Sequence, residues 1–228
     1  MENFDYISRN YSELLSEISG YSDKYSRNIT LVAVTKSASD EELLALAKCG
    51  VTDIGENRPQ ELARRGSLLI ENGFSVALHE IGNLQKNKVR AIIDNVALIH
   101  SLDSLSLAHE INRRAQAANR RVPVLVEINS AREEQKGGVL PEEAEELIKR
   151  LSEYENLLPK GLMTMGPAIE AEGLRPYFRE TKQLFDRLCD KGRFASTPVL
   201  SMGMSDSYKV AIEEGSDIVR VGRRLFIK

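Results

Sequence analysis

The 228 residues are 42% hydrophobic and 29% charged, with a formal net charge of −3. That balance describes a globule with a core and gives no long-range pull towards nucleic acid. No apolar run approaches the roughly 20 residues that span a bilayer, and Met1-Glu2-Asn3-Phe4-Asp5 lacks the basic-then-apolar order of a signal peptide, so a cytoplasmic protein is expected. Cys49 and Cys189 lie far apart inside helical patterns and read as buried free thiols rather than a disulfide. Arg-Arg pairs at 64–65, 113–114, 120–121 and 223–224 are scattered and read as solvated faces.

Residues 2–26 place Ile7, Tyr11, Leu14, Leu15, Ile18 and Tyr21 at helical spacing. This helix precedes every strand and stands outside any repeat. Leu31-Val32-Ala33-Val34-Thr35-Lys36 is apolar on both faces, which suits a parallel strand covered on both sides, and it ends on a lysine. Helix 40–49 follows, stopped by Gly50. Residues 52–55 form a second strand, and Pro59 suits the first turn of a helix over 58–72. Strand 76–81, helix 84–94 and strand 97–101 come next, and Ser104 is the N-cap of a helix reaching Asn119.

Strand five covers 122–129, with Pro123 near its start, where proline is tolerated. A polar loop runs from Ser130 to Gly138, open enough to admit partners, and Pro141 opens the next helix. Strand six is 161–165, followed by a long helix over 172–191. Strand seven is 198–202, then a short helix from Asp206 to Glu214, then strand eight at 217–222. Strands and helices alternating eight times describe a (β/α)₈ TIM barrel, one domain over 1–228 with a leading helix in 1–27. An open doubly wound sheet is the alternative, but no G-x-G-x-x-G turn follows the first strand. The eighth helix is missing or very short, and the N-terminal helix is placed to cover that gap.

Active sites of this fold sit at the C-terminal rim of the strands, and phosphates often bind after strands seven and eight. The rim collects Lys36, Asn57, Asn83, Ser101, Asn129, the Ser201–Ser205 turn, and Arg220 to Gly222. An ammonium at the end of a buried strand costs several kcal/mol to desolvate unless it is paired. Lys36 therefore reaches water or a phosphate, or is held neutral or as an imine; a lysine snorkelling at a strand end is the plain alternative. Serine-rich and glycine turns supply hydroxyls and close backbone N–H groups for an anion. An imine-forming lysine beside a phosphate cradle suggests pyridoxal 5′-phosphate. Alternation puts Arg220 inward, either donating to a pyridine nitrogen or pairing with Glu80 or Glu127. His79, His100 and His109 lack metal-ligand spacing, so no metal is expected. His79 and Glu80 read as strand packing or as support for rim residues. Met163, Met165, Met202 and Met204 read as packing of the barrel mouth.

The chain also resembles the pyridoxal phosphate homeostasis proteins, single-barrel relatives of the N-terminal domain of bacterial alanine racemase. The matching segments are Leu31–Lys36, Ile54–Asn57 with Gln60-Glu61, His79–Lys88, Asn129 with Lys136–Gly138, Gly161–Met163, Leu200–Asp206 and Val219–Gly222. The resemblance implies that Lys36 holds the cofactor as a Schiff base. It implies that Ser201 and Gly222 bind phosphate, that Arg220 meets the pyridine nitrogen and that Asn57 lies near the ring. Arg223 stands where the family has a threonine on the phosphate, so it either replaces that contact by charge or turns outward. Asn83 replaces a usual histidine, and Glu80 a usual aromatic or apolar residue.

The same resemblance implies a carrier acting in vitamin B6 homeostasis rather than a catalyst, a monomer, with cofactor-dependent apoenzymes as partners. A racemase needs a second base on the far face of the cofactor, and one barrel with its leading helix consumes all 228 residues. A low-activity amino-acid racemase is the alternative, favoured if an inward Tyr, Cys or His lies near Lys36. A phosphate-ligand barrel enzyme using Lys36 without pyridoxal is a third reading.

Overall fold

The chain is described over residues 4–228 by a computed structural model. After helix α1 (Asp5–Tyr25) come β1 (Thr30–Val34), α2 (Asp40–Lys48), β2 (Asp53–Glu56), α3 (Pro59–Glu71), β3 (Ala77–Glu80) and β4 (Val96–Leu102). Then follow α4 (Leu105–Ala117), β5 (Val122–Glu127), α5 (Ala144–Leu151), β6 (Leu157–Met163), α6 (Arg175–Asp190), β7 (Val199–Ser201), α7 (Tyr208–Glu213) and β8 (Ile218–Val221). Each strand pairs in parallel with the next, and β8 closes on β1 with Val32 beside Arg220 and Ala33 beside Val221. The expected TIM barrel is the fold.

Strand faces sort the side chains. Leu31 and Ala33 pack outward into the layer shared with the helices, whereas Val32 turns inward to meet Leu98, Leu125, Met163 and Ile218. Those five fill the barrel low down, as bulky apolar residues do in this fold. The next inward residues towards the strand ends are His79, His100, Ser201 and Arg220, all buried. Polar side chains thus occupy a level where a purely structural barrel would keep packing aliphatics.

Local sequence explains the helix starts. Ser39 and Glu42 form a reciprocal capping box, Glu42 N–H to Ser39 Oγ at 3.2 Å and Ser39 N–H to Glu42 Oε2 at 2.7 Å. Ser104 caps α4 through the Leu107 N–H at 3.4 Å, as its position predicts. Gly50 stops α2 with φ +84°, which a side chain would resist.

Several boundaries differ from the sequence reading. The helix expected over 84–94 is a 3₁₀ turn, Lys86–Ala91. Asn87 and the β-branched Val89, Ile92 and Ile93 are weak helix formers, and all three apolar residues are buried without needing a regular helix. The helix expected over 172–191 splits into a 3₁₀ turn, Ala171–Leu174, and α6, because Pro176 suits a first turn but not an interior. The leading helix starts at Asp5; residues 2 and 3 of the expected 2–26 lie outside the described residues. The eighth helix is a 3₁₀ turn, Arg223–Leu225, and α1 covers the gap as expected. Asn10 donates to the Leu225 and Ile227 carbonyls at 3.3 and 2.8 Å, and Arg224 pairs with Glu17 at 2.7 Å. Cys49 and Cys189 are free and only half-buried. No helix among the described residues is long and apolar enough to cross a membrane.

Candidate functional site

The C-terminal ends of the strands surround a cavity of about 620 Å³. Lys36, Asn57, Arg220, Gly222 and Arg223 all line it, together with Glu127 and Ser205. Five of the six residues singled out in the sequence are therefore in one place. Ser201 is the sixth and does not line the cavity. It still belongs to β7, so its side chain points into the barrel one level below the mouth, where it is fully buried.

Lys36 lies two residues beyond the end of β1, in the turn before α2. Its side chain is exposed and lines the cavity. What fixes that turn is Arg65 of α3. Its guanidinium donates to the Thr35 carbonyl and, at 2.7 Å, to the Ala38 carbonyl, so both sides of Lys36 are held. Arg65 also pairs with Glu56 at 2.8 Å, and Glu56 accepts the Thr35 hydroxyl at 2.5 Å. Arg65 and Glu56 are 5% and 1% exposed, which corrects the reading of the 64–65 pair as a solvated face. Arg64 does stay outside, on Asp40 and Glu61. Burial pushes the Glu56 carboxyl up, opposed by its bonds from Thr35 and Arg65. Beside it in register, burial raises the Glu80 carboxyl to about 8, and the charge of Glu56 adds to that. Glu80 accepts the Gly82 N–H at 3.1 Å through Oε1, while its buried Oε2 has no partner among the described residues.

The turns after β7 and β8 form the opposite wall. Ser205 accepts the Gly222 N–H at 3.2 Å, tying one turn to the other. Among the described residues, the backbone N–H groups of Ser205 and Asp206 donate to no protein acceptor. Gly222 lies so close to β1 that a Cβ there would stand 2.8 Å from the Val34 carbonyl oxygen. Gly203, at φ +87°, lets the same turn rest on α7. Arg223 turns outward and pairs with Asp206, with both side chains more than 70% exposed.

Arg220 is 3% exposed and donates to the Ser201 hydroxyl and, at 3.1 Å, to the Thr164 carbonyl. Among the described residues no carboxylate lies within ion-pair distance of it, so the alternative pairing with Glu80 or Glu127 is not made. Burial lowers the Arg220 guanidinium to about 10, against the opposing charge of Glu127, so it stays cationic at neutral pH. Burial raises Glu127 to about 7, with Asp103 adding to the rise. No Tyr, Cys or His lines the cavity among the described residues.

Sequence reasoning missed Arg65, Ser205 and the Ser201 partnership with Arg220. Ser205 lay inside the recognised serine-rich turn, but alternation puts it on the same face as Ser201, so it does not separate the two. Arg65 carried no signal beyond a repeated arginine. The Ser130–Gly138 loop, expected to be open, is stitched down: Asn129 bonds both ways with Glu133, and Lys136 reaches Glu133 at 2.8 Å and the Gly166 carbonyl at 3.2 Å. Met163 and Met202 are core, and only Met165 and Met204 reach the mouth.

Residues 7–227 match the family described as alanine racemase, N-terminal domain. The chain is 43% identical over 197 residues to the pyridoxal phosphate homeostasis protein of Aquifex aeolicus, covering 86% of this chain and 85% of that one. It is 38% identical over 218 residues to the protein of the same name from Helicobacter pylori, covering 93% and 95%. The solved structure of PipY from Synechococcus elongatus with PLP bound superposes with a TM-score of 0.84 at 25% identity, covering 97% and 100%.

Proposed function

The chain belongs to the alanine racemase N-terminal domain family, among the pyridoxal phosphate homeostasis proteins, and from that premise we propose that it holds pyridoxal 5′-phosphate in the rim cavity. The observation that carries this reading is the meeting, in one cavity, of an inward lysine amine, unused backbone donors and a buried guanidinium. Each part fits the cofactor. The free N–H groups of Ser205 and Asp206 and the side-chain-free approach at Gly222 suit a phosphoryl group. That role passes from Ser201, which is turned away, to Ser205 and the turn backbone. Arg223, neutralised by Asp206, contributes little direct charge.

When bound, pyridoxal phosphate supplies an aldehyde that condenses with a primary amine. Lys36 is the amine on the cavity wall, and the Arg65 clamp holds its backbone so that the side chain reaches inward. Arg220 can donate a hydrogen bond but not accept one, so a ring nitrogen set against it keeps its lone pair and takes no proton. This weakens the ring as an electron sink and favours keeping the cofactor over using it. We read the protein as a cytoplasmic reserve for the cofactor that hands it to apoenzymes.

A low-activity amino-acid racemase is the second reading. The Glu127 carboxyl favours it, because a group poised near neutrality in the cavity can carry a proton. Titrating cofactor-free protein with pyridoxal phosphate, followed by absorbance, separates the possibilities. Saturation at one equivalent, lost in Lys36→Ala, supports the carrier. Exchange of the α-hydrogen of added amino acids for deuterium, lost in Glu127→Gln, supports the racemase. No saturable spectral change overturns both.

A further inference from the structure

The level beneath the cavity holds a continuous line of hydrogen bonds. Asp53 Oδ1 lies 2.9 Å from His79 Nε2, and His79 Nδ1 lies 2.9 Å from His100 Nε2. His100 Nδ1 lies 3.1 Å from Ser201 Oγ, which receives the Arg220 guanidinium. The line runs from the start of β2 through β3, β4 and β7 to β8, across the barrel interior. His79 and His100 are 5% and 0% exposed.

Its two ends fix every proton between them. A guanidinium only donates, so Ser201 Oγ accepts from Arg220. The serine has one hydrogen left, and its one remaining partner among the described residues is His100 Nδ1, which must accept it. A neutral imidazole carries one N–H, so His100 donates from Nε2 to His79 Nδ1. His79 then donates from Nε2 to Asp53. Asp53 can only accept: burial pushes it up, but its bonds from His79 and Thr52 hold it below the usual carboxylate range. Burial, with the positive charge of Arg220, drives His100 well below an ordinary histidine, so it is neutral. The opposite arrangement would need a cationic His79 and would leave the Ser201 hydroxyl hydrogen buried without an acceptor, a cost of about 1–3 kcal/mol.

We propose that Asp53, His79, His100 and Ser201 are positioning residues that carry the Asp53 charge to Arg220 through a one-directional hydrogen-bond chain, aiming its free guanidinium edge into the cofactor cavity. A buried guanidinium without a carboxylate in contact is expensive, and the chain gives it a remote counter-charge from beneath the cavity. Bonds in such a line polarise one another in the same sense. The proposal rests on the cofactor reading for what Arg220 meets, but not for the chain itself.

Long-range ¹H–¹⁵N spectra of cofactor-free protein test the chain, with His109→Asn assigning the third histidine. His100 is expected as the neutral Nε2–H tautomer from pH 6 to 8, with His79 donating from its Nε2 to Asp53. An Nδ1–H tautomer on either ring, or a His100 that titrates in that range, overturns the proposal. Asp53→Asn then separates charge from geometry, because the amide oxygen can still accept from His79. With tautomers unchanged, its affinity for pyridoxal phosphate is expected to fall roughly three- to tenfold. Unchanged affinity overturns the charge-carrying role. Should Asp53→Asn fail to fold, His79→Gln is read the same way. A protein that binds no pyridoxal phosphate at all sinks the cofactor reading, yet leaves the tautomer result standing by itself.

Discussion

Replacing Arg65 by methionine removes the clamp on the lysine turn while keeping most of the side-chain volume. Three partners lose their donor at once: the Thr35 and Ala38 carbonyls and the Glu56 carboxylate. Glu56 is 1% exposed and would keep the Thr35 hydroxyl and the Asn57 backbone N–H. Breaking one side of a buried ion pair costs about 3–5 kcal/mol, because the surviving charge stays buried. The Ala38 carbonyl, with no other donor among the described residues, pushes towards the upper end, since an unsatisfied group costs about 1–3 kcal/mol before relaxation, whereas the Thr35 carbonyl keeps the Ala38 N–H at 2.9 Å. Urea unfolding followed by far-ultraviolet circular dichroism should show a loss of about 4 kcal/mol. The double variant Glu56→Gln with Arg65→Met should recover about half of it, because glutamine still accepts from Thr35 and leaves no charge behind. Cofactor affinity should fall in both, since the Lys36 backbone is released in both. An Arg65→Met protein within 1 kcal/mol of the parent, or a double variant no better than the single one, refutes the clamp.

Glu80→Gln tests the buried carboxyl. The raised pKa near 8 means that the folded state keeps its proton while the unfolded chain ionises near 4.5, so the parent loses stability as pH rises from about 5 to 8. The variant should lose that slope, at most about 1.4 kcal/mol per pH unit, and exceed the parent at pH 8 but not at pH 5; parallel curves from denaturant titrations would sink the idea. Gly222→Ala drives a methyl against the Val34 carbonyl, so about 1–3 kcal/mol of stability should go, with weaker cofactor binding; a melting temperature within 1 °C contradicts the packing described. Ser205→Ala should weaken binding of free inorganic phosphate as well as of the cofactor, by roughly three- to tenfold. Equal loss of the cofactor alone would place its hydroxyl elsewhere than on the phosphoryl group.

The barrel was legible because its strands are apolar on both faces and alternate with amphipathic helices, as parallel strands require. The rim was legible because Lys36, Arg220 and Gly222 sit at or just beyond strand ends, where alternation fixes their direction. Boundaries slipped where propensity and packing disagree, as at Lys86–Ala91, whose buried Val89 needs no regular helix. Ser201 was read in strand seven, as found, but alternation does not reveal that its hydroxyl sits below the mouth against Arg220 rather than on the cavity wall. Arg65 was hidden for a different reason. Its burial depends on Glu56 and two backbone carbonyls that are 9 to 30 residues away, and an arginine pair in a helix looks the same whether it faces water or a strand turn. The His79–His100 contact joins neighbouring strands, so strand alternation supplies both inward directions but not the register that brings the rings together.

The central claim is that the Lys36 amine is the attachment point for a cofactor whose phosphoryl group rests on the turns after β7 and β8. The most direct measurement is borohydride reduction of the protein after incubation with pyridoxal phosphate, followed by peptide mass spectrometry. One phosphopyridoxyl group on Lys36, absent when Ser205→Ala and Gly222→Ala are combined, is the result expected. Label spread over surface lysines, or undiminished in Lys36→Ala, would contradict it.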